Sequence, residues 1–364
     1  MIQTYSSTIR RKEMEAVLTC MVDEKLGPGE MNAKLIQTAK ELISFDGGLA
    51  LRSPSIALEY ALKALDLPKE SLIMLSALAP AWQLLTVEKL GYKALVLDVE
   101  EDTGLVNVKQ VEDGISKGGR LFILTENMGI LPDINEFLKL NIPIIEDISQ
   151  SFLARYPYEG EETPKKSEKA EGQENAEEVK GPASGMYGLY SILSMEEKDI
   201  VTSGGGALLF APHRREWSVL KALYEKAPST DIMPDMNAAL AWVELKEFNK
   251  NEKARKELFK AYSQAIASSR HHTFVRPGDD SSTIYGFPLI LAGGFKDAKA
   301  YANKKGIEIR QAYENSIIAY RQEELARECI CANSLLLRCA MFPLYPRLGQ
   351  VDVNKILKVL STML

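Results

Sequence analysis

The apolar residues in the first half of the chain form short runs that alternate with stretches of helical spacing. The runs lie at 72–75, 94–97, 121–124 and 142–145, with helical stretches at 81–90, 108–116 and 133–140 between them. Another strand is predicted at 205–210, and a helix is predicted from Ser55, directly after Ser53-Pro54. Short buried strands that alternate with helices are typical of a parallel sheet covered on both faces. The pattern therefore predicts an α/β fold with a large, mainly parallel sheet.

The pattern changes past Asn237, where a long helix is predicted from Met236 to Ser268. After it come a predicted strand at Thr283 to Leu291, a helix at Lys296 to Lys305 and a last helix at Val353 to Leu360. The length of 364 residues suits roughly two domains of about 150 residues each. We therefore expect a large domain over residues 1–245 and a smaller C-terminal α/β domain over residues 246–364.

The segment from Glu159 to Gly181 differs from the rest of the chain in composition. It contains eight Glu, four Lys and no aromatic residue, and Val179 is its only branched aliphatic residue. Such a segment cannot offset the entropy of its ordering by burial, so a surface loop is predicted. A tolerated insertion is the simpler interpretation of this loop, and a regulatory or docking role is the alternative.

Charge and composition exclude several classes of protein. The 44 Lys and Arg against 50 Asp and Glu give a net charge of −6, without the concentrated basic surface of nucleic-acid binders. No apolar run approaches the roughly 18 residues that a membrane span requires, and the N-terminus lacks the apolar stretch of a signal peptide. A cytoplasmic location is therefore expected. The four cysteines and three histidines lack the spacing of zinc ligands, so no metal site is expected.

Candidate chemistry is sought where strands of the predicted sheet end, because ligands of open parallel sheets bind at the carboxyl ends of the strands. Three groups of polar residues lie there: Ser53 and Ser55 at a helix start, Asp147 after the run at 142–145, and Lys198 upstream of three glycines. Each also has a structural interpretation, since Ser caps helices, strand-end acids cap loops, and most lysines are surface charges.

Longer segments around these residues match one family. They are Ser53-Pro54-Ser55-Ile56-Ala57-Leu58, Glu146-Asp147-Ile148-Ser149-Gln150, the run from Lys198 to Ala207, and Phe342-Pro343-Leu344-Tyr345-Pro346. In order and spacing they resemble the DegT/DnrJ/StrS family of sugar aminotransferases, which are fold-type I pyridoxal-phosphate enzymes. The resemblance covers nearly the whole chain and makes it a divergent member. It implies a large domain with a mainly parallel sheet and a small C-terminal domain.

The resemblance also implies roles for individual residues. Lys198 would bind the cofactor pyridoxal 5'-phosphate covalently and later move a proton between the substrate carbon and the cofactor carbon. Asp147 would keep the pyridine nitrogen protonated, which makes the ring an electron sink. Gln150 would lie near the ring oxygen. A homodimer is implied as well, because each active site of the family takes residues from both subunits.

Other residues correspond to the phosphate and ring contacts of the family. Ser55 and Ser194 would bind the cofactor phosphate together with backbone N–H groups at the helix start, where Ser53 also lies. Pro54 stands in place of a glycine whose N–H meets the phosphate, and proline has no such donor. Pro80 stands where the family usually has an aromatic residue stacked on the ring, and Trp82 is the alternative if the local register shifts.

Further departures affect the expected function. Glu126 replaces a frequent His, and Thr230 and Ile232 replace an Asn and an Arg of the family. The leading hypothesis is an aminotransferase that acts on a nucleotide-linked keto-sugar or similar ketone, with an amino acid such as glutamate as donor. A degenerate member without transaminase activity, in a binding or regulatory role, is the main alternative. A different reaction of the same cofactor, such as dehydration, is the third.

Overall fold

The computed structural model describes residues 1–157, 181–276 and 281–363. The surface loop predicted for Glu159 to Gly181 lies outside the described residues, apart from Gly181 itself. Within these three ranges, no helix is long and apolar enough to cross a membrane. The same ranges hold no group of three or more His, Cys, Asp or Glu side chains that is placed to bind a metal ion.

A large sheet lies at the centre of the first part of the molecule. Its strands are β1 Gly47–Leu51, β2 Leu72–Ser76, β3 Lys93–Leu97, β4 Gly119–Thr125, β5 Ile144–Asp147, β6 Tyr190–Ser194 and β7 Ala207–Ala211. They lie side by side in the order β1-β7-β6-β5-β4-β2-β3. Strand β7 is antiparallel to both of its neighbours, and all the other pairs are parallel. The predicted α/β fold with a mainly parallel sheet is confirmed.

Helices surround this sheet and link its strands. The first eight are α1 Arg11–Val22, α2 Glu30–Leu42, α3 Pro54–Leu65, α4 Ala81–Lys89, α5 Val108–Ser116, α6 Ile134–Leu138, α7 Arg214–Tyr224 and α8 Asp235–Ile266. The later ones are α9 Phe295–Lys304, α10 Ile317–Tyr320, α11 Gln322–Leu325, α12 Ile330–Arg338 and α13 Gln350–Thr362. Two short 3-10 helices lie at Asn127–Gly129 and Ser229–Asp231.

Both faces of the sheet are apolar, which explains the continuous apolar runs in the sequence. On one face Ile145 packs with Leu58 of α3 and Leu84 of α4. On the other face Ile144 packs with Val111 of α5. Each of these side chains is at most 3 % exposed, and burial of one such side chain contributes about 1.5–3 kcal/mol. This packing fixes the level at which each strand ends.

A smaller sheet of three antiparallel strands forms the centre of the C-terminal part. Its strands are β8 Phe287–Ile290, β9 Arg310–Gln311 and β10 Cys339–Phe342, in the order β8-β10-β9. Tyr262 of α8 and Ile356 of α13 pack against Phe287 in its core. The expected boundary between residues 245 and 246 falls inside α8, and the division into two domains stays a prediction.

Two buried acids lie between the long helix α8 and the N-terminal helix α1. Glu244 and Glu13 are each 2 % exposed at this contact. Burial, with the nearby Glu13 charge adding to it and Arg255 and Arg10 opposing it, raises the pKa of Glu244 to about 7. The folded protein therefore holds a proton on Glu244 that the unfolded chain releases at lower pH.

Replacement of this acid tests the packing of α1 on α8. The stability that the Glu244 proton gives is present below the ordinary pKa of 4.5 and is lost as the pH rises to about 7. In urea unfolding, the free energy of unfolding of Glu244→Gln should therefore equal that of the wild type near pH 5. At pH 8 it should exceed the wild-type value by on the order of 1–3 kcal/mol. Glu247→Gln is the control, because Lys12 lowers the pKa of Glu247. An equal effect of Glu244→Gln at both pH values would contradict this assignment.

Candidate active site

The carboxyl ends of the parallel strands meet at one edge of the large sheet, and the residues singled out in the sequence lie along it. The residues that follow or end these strands are Ser53 and Ser55 after β1, Pro80 after β2, Glu126 after β4, Asp147 in β5 and Ser194 in β6. Because the strand order interleaves distant parts of the chain, this edge gathers residues that are far apart in sequence.

Asp147 is the last residue of β5 and is almost completely enclosed. It is 2 % exposed. The backbone N–H of Ser149 donates to Asp147 Oδ1 over 3.1 Å, and the Ser149 hydroxyl donates to the same oxygen. Gln83 of α4 donates through Nε2 to Asp147 Oδ2 over 2.7 Å. All of these partners are neutral side chains or backbone.

The electrostatics at Asp147 are those of a buried acid without a cation. Burial raises its pKa, and the hydrogen bonds from Ser149 and Gln83 oppose that shift. Asp199, on the loop after β6, adds a second acid nearby. Enclosure of its carboxyl group raises the pKa of Asp199 to about 7, with hydrogen bonds from Ser194 and the Glu196 N–H opposing and the Asp147 charge adding to the shift. A positive charge placed here would be strongly favoured.

Lys198 lies on the same loop but points in another direction. Its Nζ is 3.6 Å from Glu314 Oε1 and 5.3 Å from the ring centroid of Tyr5. The side chain is 36 % exposed and lines a cleft with the N-terminal residues 4–8 and Tyr285. In the described structure Lys198 and Asp147 share no hydrogen bond or ion pair. The sequence motif thus brings the two residues to one edge of the sheet, but not into contact.

The start of helix α3 is the candidate anion site. Ser53 caps the helix, and its Oγ accepts the N–H of Ile56 over 3.2 Å. Pro54 is the first helical residue, so the N–H of Ser55 is the first that the helix can offer. Ser194 is linked instead to Asp147, because its N–H donates over 2.9 Å to Ser149 Oγ.

The remaining two predicted site residues have structural contacts. Gln150 Oε1 accepts the N–H of Met128 over 2.6 Å and so holds the loop after β4. Pro80 is the N-cap of α4 and forms a bridge with Ser316. Trp82, two residues further along, is half-buried.

A pair of buried acids underlies this edge. Glu126 and Glu146 are fully buried. Ser151 and Tyr156 donate to Glu126, and Glu146 accepts backbone N–H groups at 185–188. Burial raises the pKa of Glu126 well above its ordinary range, and the Glu146 charge adds to this, so Glu126 holds the proton of the pair.

Two residues beside Asp147 that the sequence patterns do not single out are Gln83 and Asp199. Gln83 follows Pro80 by three residues, so helical spacing places it one turn further along the same face of α4. Asp199 directly follows Lys198. Gln83 belongs to none of the matching segments, and Asp199 lies in the run from Lys198 to Ala207 without a role of its own there. Only their position at the sheet edge distinguishes them.

Comparison with known proteins identifies the family. Residues 7–361 match the family model of the DegT/DnrJ/EryC1/StrS aminotransferase family. A protein named as a sugar aminotransferase, from Streptococcus pneumoniae in its PLP-form, superposes with a TM-score of 0.84 at 16% identity over 98% of this chain and 97% of that chain.

Two further solved structures show the same fold. The aminotransferase TlmJ of Streptoalloteichus hindustanus has a TM-score of 0.82 at 15% identity over 99% of this chain and 98% of its own. The GDP-4-keto-6-deoxy-D-mannose-3-dehydratase of E. coli, with bound hydrated PLP, has a TM-score of 0.82 at 13% identity over 99% of both chains. Enzymes of the family depend on pyridoxal 5'-phosphate. Because the family model spans nearly all of its length, the chain belongs to the DegT/DnrJ/EryC1/StrS aminotransferase family.

Proposed function

We propose that this protein is a pyridoxal-phosphate-dependent aminotransferase that acts on a nucleotide-linked keto-sugar or a similar ketone, with an amino acid as amino donor. The observation that carries the proposal is the buried Asp147 carboxyl at the end of β5, which has only neutral partners. Family membership supports the same assignment.

The chemistry of this donor set fits the cofactor. A buried carboxylate is costly unless a positive charge or several hydrogen bonds compensate it, and a protonated pyridine nitrogen would supply the positive charge that Asp147 lacks. At the other end, the start of α3 would hold the phosphate through Ser55 and the helix dipole. Pro54 removes one donor there, so we expect the phosphate to be held less tightly than by a helix without this proline.

Asp147 and Lys198 would then have separate roles in the reaction. Bound pyridoxal phosphate supplies an electron sink for the bond that is broken at the substrate carbon. Asp147 keeps the ring nitrogen protonated, and the Lys198 amine carries the proton to and from the substrate carbon. Lys198 must turn away from Glu314 toward the bound cofactor for this role. Its ion pair is about one-third exposed on both sides, and such pairs are worth only about 0.2–1 kcal/mol, so the turn costs little.

The resemblance also supports a homodimer in which each subunit completes the site of the other. The 3-10 helix Ser229–Asp231 contains Thr230, in the family segment that reaches across to the partner subunit. Ser229 and Thr230 are exposed in the single chain, so they are accessible to a partner subunit.

A degenerate family member with a binding or regulatory role is the second candidate. The observation that favours it is the direction of Lys198, whose Nζ lies 3.6 Å from Glu314 Oε1. In that case the fold is kept and the covalent chemistry is lost. Cofactor attachment to Lys198 separates the two candidates.

Borohydride trapping tests the proposed function directly. Reduction of the protein with pyridoxal phosphate should fix one cofactor per chain, and peptide mass mapping should find it on Lys198. Lys198→Ala should abolish the labelling, because a secondary amine at that position can no longer form. Lys246→Ala is the matched control, since Lys246 also lies over an aromatic ring, at 4.4 Å from that of Trp242. No label on the wild type, or equal label on Lys198→Ala, would favour the degenerate member.

Substitution of Asp147 tests its role at the ring nitrogen. Asp147→Asn should weaken cofactor binding at least about ten-fold, because a neutral amide cannot replace a charge-assisted hydrogen bond. Asp98→Asn is the matched control. Asp98 also follows a strand, but its carboxylate caps α12 through the N–H groups of Cys331 and Ala332 at 3.0 and 2.8 Å. Equal cofactor affinity in wild type and Asp147→Asn, measured by absorbance titration, would refute the role.

A further inference from the structure

Gln83 is a fully buried amide in the first turn of α4, at 0 % exposure. Its Nε2 donates to Asp147 Oδ2 over 2.7 Å and to Thr125 Oγ1 over 3.1 Å. The Thr125 hydroxyl lies 3.3 Å from Gln83 Oε1 and donates back to it. Because a carboxylate can only accept, Asp147 fixes the orientation of the amide, whereas the Thr125 hydroxyl could pair with either amide atom. Its N–H faces the carboxylate.

The hydrogen bonds on Asp147 leave little acceptor capacity. An ionised carboxylate has about four lone-pair sites. Ser149 uses two on Oδ1, through its N–H and its hydroxyl, and Gln83 uses one on Oδ2. The site that remains is on Oδ2, beside the Gln83 amide. A ring nitrogen that binds Asp147 would therefore approach this single oxygen from a single side.

We propose that Gln83 is a positioning residue for cofactor binding, which keeps the Asp147 carboxylate ionised and directs the free side of Oδ2 toward the ring nitrogen. This assignment rests on the proposed function. A donor to the charged form of an acid favours that form, and Gln83 opposes the effect of burial on the pKa of Asp147. Without this donor the carboxyl takes up a proton more readily, and a protonated carboxyl no longer stabilises a protonated ring nitrogen as the carboxylate does.

The groups around Asp147 limit what else could produce such an effect. Helix α4 and strand β4 present Gln83 and Thr125, which are neutral. The loop after β5 presents Ser149, and the loop after β6 presents Asp199, the acid whose carboxyl interacts with Asp147. A change at Gln83 therefore acts on Asp147. Among the described residues, Asp199 is the second acid that these elements place near it.

The test is a titration of pyridoxal phosphate into the full-length protein between pH 6 and pH 8.5, followed by absorbance. Gln83→Leu should bind at least about ten-fold more weakly than the wild type, because leucine offers no donor. Gln83→Glu should approach wild-type affinity at pH 6, where a protonated Glu still donates, and lose it at pH 8.5. A merely structural role for Gln83 would instead lower the stability of the cofactor-free variant in urea unfolding in parallel with its affinity.

Gln311→Leu is the matched control, because its amide makes one hydrogen bond of 2.9 Å, to the Leu336 carbonyl, away from the site. It should bind the cofactor like the wild type. Wild-type affinity or tighter binding in Gln83→Leu would overturn the positioning role and leave the proposed function intact. No binding by the wild type at any pH would overturn both. If Gln83→Leu does not fold, the pH dependence of Gln83→Glu decides alone.

Discussion

A carboxylate as enclosed as Asp147, at 2 % exposure, is stable only while hydrogen bonds replace the water that it has lost. The chain supplies these bonds from separate elements. Ser149 comes from the loop after β5, Gln83 comes from α4, and Thr125 at the end of β4 holds Gln83 in place. Each missing bond would cost about 1–3 kcal/mol. One acid thus fixes how a helix, a strand and a loop meet at the edge of the sheet.

The same edge accumulates acids without cations. Beneath Asp147 lie Glu146 and Glu126, which share hydrogen bonds with hydroxyl and backbone groups, and Asp199 lies on the loop above. Hydrogen bonds to neutral partners satisfy these oxygens but leave the negative potential in place. A site of this kind favours a cationic ligand atom. In this structure the lysine of the motif forms its ion pair with Glu314 instead.

Much of the fold could be predicted from the sequence because its strands are apolar on both sides. The runs at 72–75, 94–97 and 121–124 lie within β2, β3 and β4. The run at 142–145 begins two residues before β5, since Pro143 has no N–H for the ladder. Strands β1 and β6 are not indicated by the sequence patterns, because a glycine pair opens one and serines interrupt the other. The strand predicted from Thr283 begins only at Phe287, since the N–H of Ile284 bonds to Glu252 instead.

The sequence predicts that the candidate site residues lie at the carboxyl edge of the large sheet, but it does not predict their side-chain contacts. The motif from Glu146 to Gln150 correctly indicates a strand end that carries an acid. The direction of Lys198 depends on Tyr5 and Glu314, which are distant in sequence and come together only in the fold. The roles of Ser53, Ser55, Ser194 and Pro80 in cofactor binding stay predictions.

The central claim is that Asp147 is the partner of the cofactor ring nitrogen. Nitrogen-15 NMR of the protein loaded with pyridoxal phosphate labelled at that nitrogen tests it most directly. The account predicts a protonated ring nitrogen at neutral pH, and loss of that protonation in Asp147→Asn. A ring nitrogen that is unprotonated in the wild type, or equally protonated in Asp147→Asn, would contradict it.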